Sequence, residues 1–474
     1  MAHQDQGRQG ASRTCADDLF SALHWITAKI DWQGIGLRKD CTWTPRNLVF
    51  AGLLWAWSDE KTLGDRFALA RKIIRRRAAE QDEPATSYQA FIKLLLKWTQ
   101  SLLALLIPAF RARMRQALAK VWRVAGWVVL ACDGSRVDVP RTRGNEERYS
   151  SKSKLSRAAQ KRRKARRRTK RRTKEQARQR KANVPSIWLT MLWHVGTGLP
   201  WDWRSGPADS SERKHLLEML VTAPLGSLIT ADAGFVGYEL WKTVLDAGHQ
   251  LLVRVGANVR LLKNLGYAEE RAGLVYLWPD RAAKKNQPPL VLRLVVVHNG
   301  RHPVYLVTSV MDEAQLSETK AAKIYARRWG IELFYRHCKQ TFERRKLRSH
   351  NPDNAMVELH WSLLGMWAMG LHSHSQLLAR GVLPERISFV GVLRAYRRSM
   401  REYKSPPDPG EQLLQLIRRS ILDEYVRENK SSRDYPQKKH EAGAGRPIIL
   451  KANRAQIQQA KQLKQPEVEK RLTA

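Results

Sequence analysis

Apolar positions recur every three or four residues from about Cys15 to Val124 and predict helices there. Thr44-Pro45 supplies an N-cap followed by proline at the first helical position, ahead of Leu48, Leu53 and Leu54 at helical spacing. Ser87 can cap a long segment beginning at Tyr88. The most apolar stretch, Phe91 to Phe110, is interrupted by Lys93, Lys97, Gln100 and Pro108, which predicts a buried amphipathic helix rather than a membrane span. The pattern then changes. Trp127-Val-Val-Leu-Ala-Cys132 has the length and composition of a buried strand ending in Asp133-Gly-Ser. Ser186–Val195 and Leu199–Trp203 flank a Gly196-Thr-Gly198 turn and predict a hairpin. Asp209-Ser-Ser-Glu212 has the form of a capping box for a helix through Leu220. Ser227-Leu-Ile-Thr-Ala231 is a short apolar strand ending in Asp232-Ala-Gly-Phe235. A helix (Tyr238–Asp246), a strand (Gln250–Val255) and three β-rich runs (Leu274–Trp278, Leu290–His298, Val304–Ser309) follow. From Ser317 to Thr341 no Gly-Pro pair or turn cluster breaks the pattern, which predicts one helix. This order predicts an α/β fold with a mixed sheet flanked by helices.

Beyond it, Asn354–Leu377 is apolar and Trp-rich and is expected to pack on the sheet, and Ile387–Arg401 is amphipathic and basic. One further helix, Glu411 to Arg427, fits the pattern; the rest of the chain to Ala474 is basic, poor in apolar residues and assigned no structure. The expected division is a helical domain over 1–120, an α/β domain over 121–345, C-terminal helices over 346–403 and a basic, partly disordered tail over 404–474.

Charge narrows the function. The 85 Lys and Arg residues outnumber the 44 Asp and Glu, a formal net charge of +41 that implies a polyanionic partner, nucleic acid first. An anionic membrane would call for a basic amphipathic anchor that the sequence does not clearly contain, and no small-molecule substrate is expected. Basic residues recur along the N-terminal helices (Arg71, Lys72, Arg75, Arg76, Arg77, Arg111, Arg113, Arg115), which suits DNA binding as well as an ordinary solvated face. A dense basic run between Ser150 and Asn183, in the loop after the first strand, suits phosphate contacts. Cys15, Cys41, Cys132 and Cys338 show neither CxxC nor Cys/His spacing, which argues against structural zinc and a disulfide framework. The polar N-terminus lacks the apolar segment of a secretory signal, so the expected compartment is the cytoplasm, at bacterial nucleoid DNA.

The last predicted helix carries Tyr325, Arg328, Glu332 and Lys339. Steps of three, four and seven return these residues to one face at ~100° per residue, beside an apolar stripe of Ile324, Ile331, Phe334 and Cys338. A solvated face with an Arg–Glu ion pair is the plain reading of that spacing. Asp133 and Asp232 follow two predicted strands, where most such acids form turns or caps. If they converge with Glu332, their mutual repulsion calls for a hard divalent cation. Two such ions ~3.5–4 Å apart can serve phosphoryl displacement.

Tyr325-x2-Arg328-x3-Glu332-x6-Lys339 is similar to the signature of insertion-sequence-four type transposases of the DDE superfamily. Asp133-Gly-Ser with Pro140 downstream resembles the family's first acidic box, Asp232-Ala-Gly-Phe235 its second, and Leu306-Val-Thr-Ser309 the strand before its last catalytic helix. The resemblance spans about Trp127 to Leu347. It implies a ribonuclease-H-like mixed sheet with helices on both faces, a β-rich insertion (256–310) before the last catalytic helix, and a helical N-terminal DNA-binding domain. It implies Asp133, Asp232 and Glu332 as ligands of magnesium or manganese, with two ions, and Tyr325, Arg328 and Lys339 as contacts to DNA phosphates. The activity implied is cleavage at transposon inverted-repeat ends and 3′-hydroxyl strand transfer into target DNA, by a homodimer on DNA. A nuclease without strand transfer and an inactive DNA-binding descendant are the alternatives. Some family members carry a base-stacking tryptophan where this chain has Val304. Tyr305 and Trp278 are the nearby aromatic candidates, and a buried core aromatic is the plainer reading of each.

Overall fold

The computed structural model describes residues 15–37, 41–77, 87–151, 184–298, 302–403, 412–422 and 445–472. The basic run read between Ser150 and Asn183 lies outside them except at its ends. The chain divides into two compact units. One comprises Met1–Ala119, Asp138–Arg148 and Arg336–Asp423; the other comprises Lys120–Val137, Tyr149–Tyr335 and Glu424–Ala474. The C-terminal helices therefore share a unit with the N-terminal ones, where the sequence reading keeps them apart.

In the helical unit, side-chain caps start the main helices, at Thr44 and Ser87 as the sequence reading expects and at Asn351, which it does not name. Thr44 accepts from the Asn47 amide ahead of Pro45–Trp57, Ser87 from the Ala90 amide ahead of Tyr88–Ala117, and Asn351 from the Asp353 and Asn354 amides ahead of Pro352–Leu378. Pro352–Leu378 is buried on nearly every face, so it requires neighbours all round. It finds them among the helices of its own unit, chiefly Pro45–Trp57 and Tyr88–Ala117, where the sequence reading looked to the sheet. Two glycines set the close crossing with Pro45–Trp57. A Cβ on Gly52 would lie 2.3 Å from the Trp361 ring, and one on Gly365 would lie 2.9 Å from the Ala56 Cβ. The Trp57 indole donates to the Gly365 carbonyl at 2.8 Å across the same contact. Tyr88–Ala117 is, among the described residues, the one helix long and apolar enough to cross a membrane. Its Phe91, Leu95, Leu102, Leu106 and Phe110 form one buried face, the amphipathic pattern expected.

The other unit is built on ten strands of one sheet among the described residues. In chain order they are β1 Val129–Asp138, β2 Ser186–His194, β3 Leu199–Gly206, β4 Leu228–Ala231, β5 Gln250–Arg254, β6 Arg260–Lys263, β7 Leu274–Leu277, β8 Leu290–His298, β9 Pro303–Thr308 and β10 Ile448–Lys451. Across the sheet they run β10-β6-β7-β8-β9-β5-β4-β1-β2-β3. β1, β4 and β5 are parallel and largely apolar where they pair, with Thr230 and Gln250 the polar exceptions, as suits strands covered on both faces. β9 returns antiparallel to β5, so the β-rich insertion widens the same sheet instead of forming a separate one.

Three sequence expectations are corrected here. β1 does not end at Cys132 but runs through Asp133 and Gly134 to Asp138, and only its pairing with β4 stops at Cys132. Part of the C-terminal tail is structured: Ile448–Lys451 pairs parallel with Arg260–Lys263 at the sheet edge, and the helix Arg454–Leu472 follows. The helix predicted over Ser317–Thr341 is three pieces, Glu318–Arg327, Gly330–Arg336 and a π turn at His337–Thr341. At the first break Trp329, Ile331 and Glu332 donate to carbonyls three residues back, which overwinds the chain; at the second Phe342 donates five residues back to His337. Gly330, which costs helix stability in any position, sits at the overwound turn.

Candidate active site

The β1–β4 register positions the first two acids. Cys132 lies beside Ala231 in the last parallel pair, so Asp133 and Asp232 are the next residues on adjacent chains, about 5 Å apart at the backbone. Asp232 caps a 3-10 turn, Ala233–Phe235, and its Oδ1 accepts from the Gly234 amide at 2.8 Å. Three successive carbonyls of that turn are held by side chains. Asn258 donates to Ala233 (3.1 Å), Arg213 to Gly234 (2.9 Å) and Trp241 to Phe235 (2.8 Å). Asp232 thus projects from a braced loop.

The third acid arrives on Gly330–Arg336. Tyr335, one turn after Glu332, donates to the Asp133 carbonyl at 2.8 Å and reaches the Leu189 carbonyl at 3.3 Å. Phe334 packs on Trp193 of β2, with ring centroids 4.9 Å apart. These contacts dock the helix on β1 and β2 and bring Glu332 within electrostatic reach of Asp133. The sequence reading assigns Tyr335 no role, because a tyrosine beside an apolar stripe reads as ordinary core.

Electrostatics mark the convergence. Burial raises the Asp133 carboxyl to about 6; the Gly134 amide and Arg328 pull against it, while Asp232 and Glu332 push it further up. A fourth acid shares this field. Burial raises Glu212 to about 7, with Asp133 and Asp232 adding to the rise and Arg213 opposing it. Sequence reading assigns Glu212 to a capping box, but the N-cap is Ser211, which accepts from the Lys214 amide, and Glu212 is the first helical residue.

Arg328 is 7% exposed and donates from Nη2 to Glu332 Oε1 at 2.9 Å, the ion pair expected from the i,i+4 spacing. Its guanidinium lies over the Tyr325 ring, 5.2 Å from the centroid. Burial lowers its pKa, but Tyr325, Glu332 and Asp133 outweigh that and leave it raised. Burial also raises the Tyr325 phenol, against the nearby Arg328 and Arg254. The Arg328 Nε and the Tyr325 hydroxyl are both buried without a well-formed hydrogen bond. The two groups act on each other, and a guanidinium beside a phenol suits an anionic oxygen. Lys339 lies in the helical unit, in the π turn, so the single-helix stripe drawn through it does not hold. Five of the six residues singled out from the sequence therefore belong to the sheet unit.

The donor chemistry fits a hard divalent cation: carboxylate oxygens, half-buried and mutually repelling. Among the described residues, however, no three His, Cys, Asp or Glu side chains already stand in metal-holding geometry. Glu332 is turned to Arg328, and Asp232 to the Gly234 amide. His194 is fully buried, lowered to about 3 by burial, and bonded to Thr197. Trp278 is a core residue whose indole donates to the Gln287 carbonyl, and Val304 is buried. The exposed indole beside the acids is Trp329, 52% exposed between Arg328 and Glu332, which an unbroken-helix reading leaves unremarked.

Comparison with known proteins gives three findings. The model of the transposase DDE domain matches residues 126–367. Transposase InsG for insertion sequence element IS4, from Escherichia coli (strain K12), is 26% identical over 196 residues, 39% of this chain and 43% of that protein. This chain thus aligns with under half the length of that relative. A piggyBac transposase synaptic complex with hairpin DNA aligns over 92% of this chain and 91% of its own, at 13% identity and a TM-score of 0.38. The matched domain runs from just before β1 into the helix Pro352–Leu378 and contains Asp133, Asp232 and the whole Tyr325-to-Lys339 signature, so the chain belongs to the transposase DDE domain family.

Proposed function

We propose that the chain is a DNA transposase that cuts at the ends of an insertion sequence and joins the freed 3′-hydroxyl to target DNA. The observation that carries this reading is the meeting of Asp133 and Asp232 through the β1–β4 register, with Glu332 docked beside them by Tyr335. The sequence β3-β2-β1-β4-β5, with the last three parallel, supports a ribonuclease-H-like core under these acids.

Asp133, Asp232 and Glu332 would hold divalent magnesium or manganese, in two sites. Bound there, the ions supply Lewis-acid polarisation of a phosphoryl oxygen and a more acidic attacking water or hydroxyl. The chain's own groups position the DNA. The Arg328 guanidinium and the Tyr325 hydroxyl, side by side next to Glu332, bind the phosphodiester at the cut. Hydrolysis adds a water oxygen to phosphorus and releases the 3′-oxygen. In the joining step that 3′-hydroxyl attacks a target phosphorus, so one phosphodiester is broken for each one formed and no external energy source is required. Lys339 adds a point charge to the DNA path. The surplus of 41 positive charges supports long-range attraction to DNA, and pairing of two ends implies a homodimer on DNA. Its place of action is the bacterial cytoplasm, at the nucleoid.

The test combines protein, labelled element ends and a circular target. Joined product is expected, and Asp232→Asn is expected to abolish cleavage. Cleavage without joining would make the chain a nuclease, and unchanged cleavage by Asp232→Asn would overturn the catalytic assignment.

A further inference from the structure

Glu212 opens the helix Glu212–Leu220, and its surroundings are built to hold it in place. Its carboxylate lies directly over Gly134, the residue after Asp133: a Cβ at 134 would sit 2.6 Å from Glu212 Oε1. Any side chain at 134 would displace that carboxylate, so glycine there keeps open the space Glu212 occupies. Both neighbours are tied. Arg213 donates to the Gly234 carbonyl, two residues beyond Asp232, at 2.9 Å. On the next turn His215 is buried and bonded through Nδ1 to Thr190 Oγ1 of β2 at 2.8 Å. The start of the helix is thus pinned between the Asp232 turn and the sheet.

Charge gives the second, independent argument. In a chain with 85 basic and 44 acidic residues, a half-buried carboxylate readily finds a cationic side chain. Glu332 does, in Arg328. Among the described residues Glu212 and Asp133 form no salt bridge, although they share one field. Arg328 and Arg213 act on these carboxylates without forming an ion pair with them, and two adjoining half-buried carboxylates so placed suit a cation from solution.

We propose that Glu212 is a fourth carboxylate of the catalytic centre and holds a divalent cation jointly with Asp133. A helix-capping role would require only negative charge near the helix N-terminus. A ligand role requires the oxygen at its present position.

The inference rests on the Asp133/Asp232/Glu332 reading, and the experiment separates the two. Mn2+ alone is titrated into the full-length protein, free ion being followed by electron paramagnetic resonance, for wild type and for Asp133→Asn, Glu212→Gln, Glu212→Asp and Gly134→Ala. Folding is checked by circular dichroism. Asp133→Asn and Glu212→Gln are each expected to weaken Mn2+ binding at least tenfold. Glu212→Asp keeps the charge but withdraws the oxygens by one methylene, and is expected to lose nearly as much. Gly134→Ala, which pushes Glu212 aside without altering any acid, is expected to follow. If Asp133→Asn leaves Mn2+ binding intact, the underlying catalytic reading fails. If Asp133→Asn weakens binding while both Glu212 variants retain it, the fourth-ligand inference alone is overturned. Wild-type binding by Glu212→Asp with loss in Glu212→Gln would overturn it too, leaving Glu212 as background charge. Should Glu212→Gln fail to fold, Gly134→Ala and Glu212→Asp decide the question.

Discussion

Replacing Asp133 by asparagine should stabilise the metal-free protein at neutral pH while destroying its activity. The carboxyl moves from its ordinary 3.8 to about 6 in the folded state, first through burial, then through Asp232 and Glu332. A raised carboxylate pKa means that the folded state holds the proton more tightly than the unfolded state. The resulting penalty is therefore absent below about pH 4, grows between about pH 4 and 6, and is complete above that range. A rise of that size corresponds to about 3 kcal/mol, at ~1.4 kcal/mol for each tenfold gain in proton affinity. Asp133 is still partly open to water, which reduces this to about 1–2 kcal/mol. The asparagine keeps an oxygen for the Gly134 amide and removes the charge. In chelator, fluorescence-monitored melts at pH 8 should place the variant about 3–6 °C above wild type. The gap should fall by more than half at pH 4.5. Mn2+ should then raise the wild-type melting temperature and leave the variant almost unmoved. A variant less stable than wild type at pH 8, or an equal gap at both pH values, would refute the argument that Asp133 lies in an uncompensated acidic centre.

The Arg328–Glu332 pair should separate by function: Arg328→Ala is expected to weaken end binding and cleavage at least tenfold with Mn2+ affinity within about twofold. Glu332→Ala should do the reverse, losing Mn2+ binding while retaining DNA in a gel-shift assay. Tyr335→Phe removes a hydroxyl that bonds the Asp133 and Leu189 carbonyls, and should cost about 1–2 kcal/mol in denaturant melts and lower single-turnover cleavage without changing DNA affinity. Gly52→Ala drives a methyl into the Trp361 ring and should cost about 2–3 kcal/mol by overpacking; an unchanged melt would show that the two helices can separate freely.

Much of this was legible in the sequence because it was local. Caps at Thr44 and Ser87 act over three residues, and β4 and β5 are short apolar runs between turn signals, so their positions follow from neighbouring residues. The acids were legible as candidates because Asp133 and Asp232 follow apolar runs and Glu332 lies within a spaced signature. What escaped depends on tertiary contact. The helix through Arg328 looked continuous because no residue type forbids it; the overwound turn and the π turn appear once Tyr335 and Phe334 dock on β1 and β2. Pro352–Leu378 is apolar all round, a pattern that demands burial without saying against what. Glu212 fitted a local capping motif, and only its approach to Gly134 reveals the other role. Ile448-Ile-Leu450 is an apolar run too short to announce a strand inside a basic tail, and as an edge strand it is held chiefly by its backbone pairing with Arg260–Lys263.

Tyr335 gives the acids a dependence on the order of synthesis. Asp133 and Asp232 can align as soon as β1 and β4 pair, but Glu332 joins them only after Tyr335 has left the ribosome and bonded to the Asp133 carbonyl. A chain that stops just before Tyr335 contains Glu332 but not the bond that docks it, and it also lacks Pro352–Leu378, on which Pro45–Trp57 and Tyr88–Ala117 pack. The helical unit and the acidic centre are thus both completed by the last third of the chain, and an early stop would leave neither assembled.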